Sequence, residues 1–226
     1  MSYYQIVEHY EQCFHTYGDT SKGVDWTNQT DANLRYQIMF DSIRNLNTQP
    51  ISILDFGCGC GHFYEWIKKQ GYTKNIQYSG LDISPIFCAT IKHKFPEIDV
   101  YNMDILIENN YEKLPMFDYI IMNGVFTEKL KLEQTEMVNF MQKILEIMFT
   151  KTKKCIAWNI MTPLADWKRD DLFYFDFTLL STYLKNKLSR NFIIRHDYGL
   201  WEYTVYLYKD SETFKHEPCE CAGNPT

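Results

Sequence analysis

Four polar side chains close apolar runs in this chain: Asp55, Asp82, Asp104 and Asn123. The first has the most telling neighbours. Residues 51–61 read I-S-I-L-D-F-G-C-G-C-G, with an acid ahead of glycines at every second position. Glycine has no Cβ, so such a turn adopts dihedrals closed to other residues and lets a ligand press on bare backbone. The dinucleotide fingerprint is G-x-G-x-x-G, with a pyrophosphate on a helix N-terminus. Here the pattern is D-x-G-x-G-x-G. An acid so close repels a pyrophosphate and suits a cationic ligand. Asp82 lies 27 residues after Asp55 and ends a second run, Gln77–Ser84. A carboxylate there can accept both hydroxyls of an adenosine ribose, each bond to a charged group being worth roughly 1.5–3 kcal/mol. Its competing role is to cap the helix that begins at Ser84-Pro85.

These groups need rigid strands to hold them. Ile51, Ile53 and Leu54 read as a buried parallel strand ending at Asp55, and His62–Gln70 as a helix stopped by Gly71. Asp99–Ile105 is a third strand, carrying Asp104 near its end. The fourth, Phe117–Val125, is apolar until Asn123-Gly124. Leu132–Thr150 has apolar residues at helical spacing, and its methionines read as core filler. Cys155–Met161 is a fifth strand ended by Pro163, and Leu179–Leu188 a further helix. Phe192–His196 and Tyr203–Tyr208 form an antiparallel hairpin about Asp197-Tyr198-Gly199. Strand and helix alternate five times before the hairpin closes the sheet.

The four strand ends, in this order and with these residue types, resemble the class I S-adenosylmethionine-dependent methyltransferases over roughly residues 50–210. That cofactor carries an ammonium and a sulfonium and no phosphate. The resemblance implies an α/β fold, a Rossmann-like seven-stranded methyltransferase sheet with its last strand antiparallel, flanked by helices. It implies that Gly57, Cys58 and Gly59 form the cofactor turn and that Asp82, beside Ile83, holds the ribose. It further implies that Asp104 accepts from the adenine amino group, that the Ile105 amide meets the ring, and that the backbone at Asn123 and Gly124 receives the ammonium. Residues 1–48, with a helix from Asp31 to Asn45, are expected to form an N-terminal helical lid that folds over the cofactor and excludes water. Within it, Trp26 and Arg35 are cofactor candidates, Arg35 toward the cofactor carboxylate. The alternatives are that Trp26 anchors the lid and Arg35 lies on a helix surface.

Methyl transfer from a sulfonium is an in-line displacement, in which alignment supplies effective molarities of roughly 10⁵–10⁸ M. An alcohol acceptor gains from a general base; the candidates are His15 in the lid and His196 before the hairpin turn, the latter equally readable as a sheet-edge histidine. A phosphate-like or amine acceptor needs none. Gly18–Trp26 and Arg195–Tyr203 resemble segments of bacterial methyltransferases from capsule and surface-polysaccharide gene clusters. That implies O-methylation of a sugar nucleotide or capsule precursor, including a phosphoramidate decoration. The alternatives are an N- or C-methyltransferase of another small metabolite, or an inactive cofactor-binding subunit.

Composition bounds the remaining choices. A chain of 226 residues supports one α/β domain with appended helices. A net charge of −6 argues against a nucleic-acid partner, and Asn123-Gly124-Val125-Phe126 departs from the Asn/Asp-Pro-Pro-aromatic motif of base-amino methyltransferases. No run approaches the roughly 20 apolar residues of a membrane span, and the start lacks a signal-peptide pattern. Seven cysteines, an odd count, with Cys58 and Cys60 inside the turn, point to a reducing cytoplasm. Residues 49–210 are expected to form the catalytic domain and 211–226 a disordered tail. His216, Cys219 and Cys221 in that tail are too crowded to be read as a metal site. The oligomeric state is open.

Overall fold

The computed structural model describes residues 3–26, 28–44, 46 and 49–209; the tail, with His216, Cys219 and Cys221, lies outside the described residues. Seven strands form one sheet: β1 (Ile51–Phe56), β2 (Ile76–Asp82), β3 (Asp99–Asn102), β4 (Phe117–Phe126), β5 (Thr152–Met161), β6 (Phe192–Arg195) and β7 (Glu202–Tyr208). Their order is β3-β2-β1-β4-β5-β7-β6. The first five run parallel; β7 is inserted antiparallel between β5 and β6. The chain reverses between β1 and β4, and in open α/β sheets such a switch point opens a crevice at the strands' carboxyl ends.

Side-chain alternation along the strands gives the sheet two apolar faces. Leu54, Phe56, Ile120, Met122, Ile156, Trp158, Val205 and Leu207 join one core, which α5 (Gln134–Lys151) and α6 (Phe177–Lys187) cover. Ile51, Ile53, Tyr119, Ile121, Ala157 and Tyr206 face the other, under α2 (Gln29–Phe40), α3 (His62–Lys69) and α4 (Pro85–Lys94). The helix starts are fixed locally. Asn28 accepts from the Asp31 amide, Ser84 caps α4 with Pro85 behind it, Glu133 and Glu136 close a capping box, and Asp176 caps α6.

Two elements end earlier than their sequence patterns suggest. The third strand stops at Asn102, after which Asp104 Oδ1 accepts from the Leu106 amide and turns the chain away. The helix expected from Asp31 to Asn45 begins at Gln29 and ends at Phe40. Ser42 then donates its hydroxyl to the Met39 carbonyl, the local competition that makes serine a poor interior helix residue. Ahead of the sheet, α1 (Tyr4–Tyr17) crosses the ends of β2 and β3 and leads into a short 3₁₀ turn, Lys22–Val24. No helix among the described residues is long and apolar enough to cross a membrane.

Candidate active site

The glycine turn after β1 has the strained backbone that its composition requires. Gly57, Gly59 and Gly61 all have positive φ, at 73°, 51° and 78°. A Cβ on Gly61 would come within 2.7 Å of Ile91, and one on Gly57 within 2.9 Å of Val125. The amides of Gly57 and Cys58 bond to the Leu81 carbonyl at 2.7 and 3.1 Å, which ties the turn to the end of β2. Asp55 is buried beneath it and accepts from the Tyr78 hydroxyl at 2.5 Å. Burial pushes the Asp55 carboxyl up to about 7, against the Tyr78 hydrogen bond.

At the end of β2, Asp82 Oδ2 accepts from the Gly59 amide and Oδ1 from the Ser84 amide, both at 2.9 Å. The first of these bonds fixes the carboxylate against the glycine turn; the second is the cap weighed from the sequence. Two backbone bonds leave further lone pairs on both oxygens. Burial raises this carboxyl to about 6 although the backbone amides favour its charged form. Asp104 lies past β3, and Asn123 sits where β4 bulges. Gly124, at φ 85°, gives its amide to Asn159 Oδ1 at 2.7 Å. Both polar atoms of the Asn123 side chain are buried without a protein partner among the described residues.

These residues line one cleft. Its walls include Trp26, Asp55, Gly57, Cys58, Gly59, Asp82, Ile83, Asp104, Ile105, Asn123 and Gly124, all of them sequence-stated candidates. α1 roofs it with Tyr3, Ile6, Val7 and Tyr10. The roof is fastened to the strand ends. The Tyr3 and Tyr4 hydroxyls both donate to Asp104 Oδ2, at 2.5 and 2.6 Å, and Ser84 donates to Glu11 at 2.5 Å. Asp19 binds His62 and Lys94, each at 2.7 Å.

Three candidates sit elsewhere. Arg35 is absent from the cleft wall. Its Nε bridges both carboxylate oxygens of buried Glu202, at 3.0 and 2.9 Å, and its guanidinium lies 5.2 Å from the Trp26 ring. Trp26 in turn packs over Gly124. The arginine therefore holds the tryptophan that forms the cleft wall, from a distance. His15 is exposed on the last turn of α1, and His196 is exposed beside Phe177; neither lines the cleft. What the sequence reading missed is the Tyr3–Tyr4 clasp on Asp104. A pair of adjacent tyrosines gives no local sign of a partner about a hundred residues away.

Sheet order, glycine turn and strand-end carboxylates together define a Rossmann-like methyltransferase fold. The fold is similar to magnesium protoporphyrin IX methyltransferase from Synechocystis PCC 6803, solved with S-adenosylmethionine bound (TM-score 0.59, 13% identity, 93% of this chain and 98% of that one). It is also similar to the plantazolicin methyltransferase BpumL in complex with a pentazolic desmethylPZN analogue and S-adenosylhomocysteine (TM-score 0.59, 14% identity, 92% and 99%). A third likeness is to the mitomycin 7-O-methyltransferase MmcR (TM-score 0.57, 9% identity, 93% and 61%). Residues 54–147 match the family model described as "Methyltransferase domain". A Mycobacterium tuberculosis (strain ATCC 25618 / H37Rv) protein named "Putative methyltransferase Rv1506c" is 29% identical over 164 residues, 72% of this chain and 95% of its own length. These findings show the methyltransferase fold over the chain and a match to a methyltransferase domain over residues 54–147.

Proposed function

We propose that the cleft holds S-adenosylmethionine along the strand ends and passes its methyl group to an oxygen of a small acceptor, a sugar nucleotide or capsule precursor that includes phosphoramidate-bearing ones. In this reading Asp82 accepts the ribose hydroxyls on the lone pairs that Gly59 and Ser84 leave open. Asp104 and Ile105 take the adenine. Asn123 and Gly124 meet the methionine end, where the unpartnered Asn123 amide supplies both a donor and an acceptor. Asp55, buried one turn away, favours the cationic end of the cofactor and gains charge stabilisation from it.

The observation that carries the acceptor class is what lies on the roof side of the cleft. It offers the phenols of Tyr3 and Tyr10, and burial together with nearby acids keeps both protonated. His62 reaches the cleft but is engaged by Asp19. Protonated phenols donate hydrogen bonds and cannot abstract a proton. An acceptor oxygen that arrives already ionised, as on a phosphoramidate or phosphate group, needs no base. Such an oxygen is drawn to the sulfonium and loses its charge in the transfer. The chain's part is to align oxygen, methyl carbon and sulfur and to exclude water with α1.

A second reading rests on the apolar roof residues Ile6, Val7 and Phe140, which suit an N- or C-methylated aromatic metabolite. Labelled methyl transfer into a panel of nucleotide sugars, phosphoramidate-bearing precursors and aromatic metabolites, with cofactor binding followed by calorimetry, separates the readings. Transfer to a phosphoramidate or sugar-nucleotide oxygen supports the first, and transfer only to aromatic members replaces it with the second. Micromolar binding with no transfer to any member would favour the inactive-subunit alternative.

A further inference from the structure

Outside the cleft, three ligand-type side chains converge where α1 meets the loop behind it. His9 and Cys13 stand one turn apart on α1 and so share a face. Asp25 follows the 3₁₀ turn in the left-handed conformation, at φ 56°. His9 Nε2 is 2.9 Å from Asp25 Oδ2 and 3.8 Å from Cys13 Sγ, and the donor atoms of all three fall within 4.8 Å of one another. A tetrahedral zinc ion, about 2.3 Å from sulfur and about 2.0 Å from nitrogen or oxygen, separates its ligands by roughly 3.3–3.5 Å. The two distances from His9, 2.9 and 3.8 Å, bracket the edge of such a tetrahedron.

An independent observation points to the same place. Glu128, two residues past β4, is only 8% exposed, and its Oε2 has no partner among the described residues. Its charge acts on Cys13, and it feels Asp25, Asp171, His9 and Arg169. Arg169, the cation among these, is already held by Asp171 through Nε at 3.0 Å and Nη2 at 2.5 Å. A buried carboxyl oxygen without a hydrogen bond, beside further acids, is an arrangement that costs free energy unless a cation completes it. The similar group of Asp19, Cys60 and His62 has no such need, because the Lys94 ammonium lies 2.7 Å from Asp19.

We propose that His9, Cys13 and Asp25 hold a divalent transition metal of the zinc class and that the nearby buried Glu128 carboxylate closes on the ion as its fourth ligand. One thiolate, one imidazole and two carboxylates suit zinc or cobalt, whereas magnesium and calcium take oxygen alone. Four protein ligands leave no open position, so the ion serves structure. It fastens α1 and the loop at Asp25 to the end of β4. Tyr10, on α1 between the two ligands, lines the cleft, so the ion also fixes one wall of the acceptor space. This assignment does not depend on which acceptor is methylated.

Cobalt(II) titration of the chelator-treated full chain tests it. One equivalent should give a thiolate-to-cobalt charge-transfer band in the near ultraviolet, with the visible bands of tetrahedral cobalt, and should raise Tm. Cys13→Ser should abolish the charge-transfer band, and Glu128→Gln should weaken cobalt binding at least tenfold. The Cys219→Ser/Cys221→Ser pair should leave both properties intact. If Cys13→Ser does not fold by circular dichroism, His9→Gln, on the half-exposed face of α1, should lower cobalt affinity in the same way. Absence of the band in the unaltered protein, its survival in Cys13→Ser, or its loss in the tail pair would overturn the assignment.

Discussion

Replacing Asp82 with asparagine should separate the role of its charge in the fold from its role in binding, because the two have opposite signs. In the cofactor-free protein the charge is a burden. Burial raises the carboxyl from 3.8 to about 6, a difference of about 2 units, and at 1.36 kcal/mol per unit the ionised form costs the fold about 3 kcal/mol at neutral pH. Asparagine removes that cost but leaves the Gly59 or Ser84 amide facing an NH₂ group, a loss of roughly 1–3 kcal/mol. The Asp82→Asn fold should therefore lie within about 2 kcal/mol of the wild type, with Tm held or slightly raised. Because the folded-state pKa lies above the unfolded one, protonation of Asp82 stabilises fully below about pH 4. That contribution fades as pH rises to about 6. Urea titrations at pH 4.5 and 7.5 should show this slope reduced in the variant.

Binding should move the other way. An asparagine has one acceptor oxygen, which a backbone amide claims, so at least one charge-assisted bond to the ribose is lost along with the pull of the second. At roughly 2–4 kcal/mol in all, S-adenosylmethionine affinity should fall roughly 30- to 1000-fold. Calorimetry with S-adenosylmethionine and S-adenosylhomocysteine reads this directly. Affinity within threefold of the wild type, in a variant that keeps its Tm, would refute the assignment of Asp82 to the cofactor.

Tyr3→Phe/Tyr4→Phe removes both phenol bonds to Asp104 and should speed cofactor release about tenfold, measured by stopped-flow fluorescence, with little change in Tm. Arg35→Ala leaves the buried Glu202 carboxylate, its side chain 2% exposed, without its cation; chemical denaturation should show a loss of roughly 3–5 kcal/mol. A large drop in cofactor affinity with unchanged stability would instead restore Arg35 to the cofactor carboxylate. His15→Ala and His196→Ala should each leave kcat within twofold once an acceptor is in hand, since neither side chain lines the cleft. A hundredfold loss in either would return the general base to that histidine.

The gathering of the strand-end residues around one cleft was legible because their chemistry is written near the ends of strands. A strand announces itself by apolar content, and the polar residues near its carboxyl end are then the ones that meet a ligand at the sheet's switch point. Asp55, Asp82 and Asn123 could be placed that way without any long-range contact being known. Gly57, Gly59 and Gly61 could be placed because only glycine suits their dihedrals and the approach of Ile91 and Val125. Asp104 was legible as a residue and not as an environment. The two phenols on it come from the other end of the chain, and no periodicity encodes that pairing. His9 and Cys13 show a spacing of four, but a helix presents many such pairs, and only the fold brings Asp25 and Glu128 to them.

Arg35 shows why the acceptor side resists this kind of reading. Its charge and its place on a lid helix suit a carboxylate, and a carboxylate is what it binds, but the one on β7. Glu202 also accepts from Asn159, and Asn159 accepts from the Gly124 amide. A relay of polar and ring contacts therefore runs from the antiparallel strand through α2 to Trp26 and back to the bulge in β4. Each member is buried or nearly so, so each must be paired whatever ligand the cleft takes. In the proposed reading, the relay fixes the floor under the methionine end of the cofactor and leaves acceptor choice to residues that carry no such obligation. Those are the roof residues of α1, where Ile6, Val7 and Tyr10 can change size or polarity without leaving a sheet charge unpaired. Substitutions at Val7 and Tyr10 should therefore redirect acceptor preference at nearly constant cofactor affinity, whereas substitutions along the relay should lower affinity and stability together.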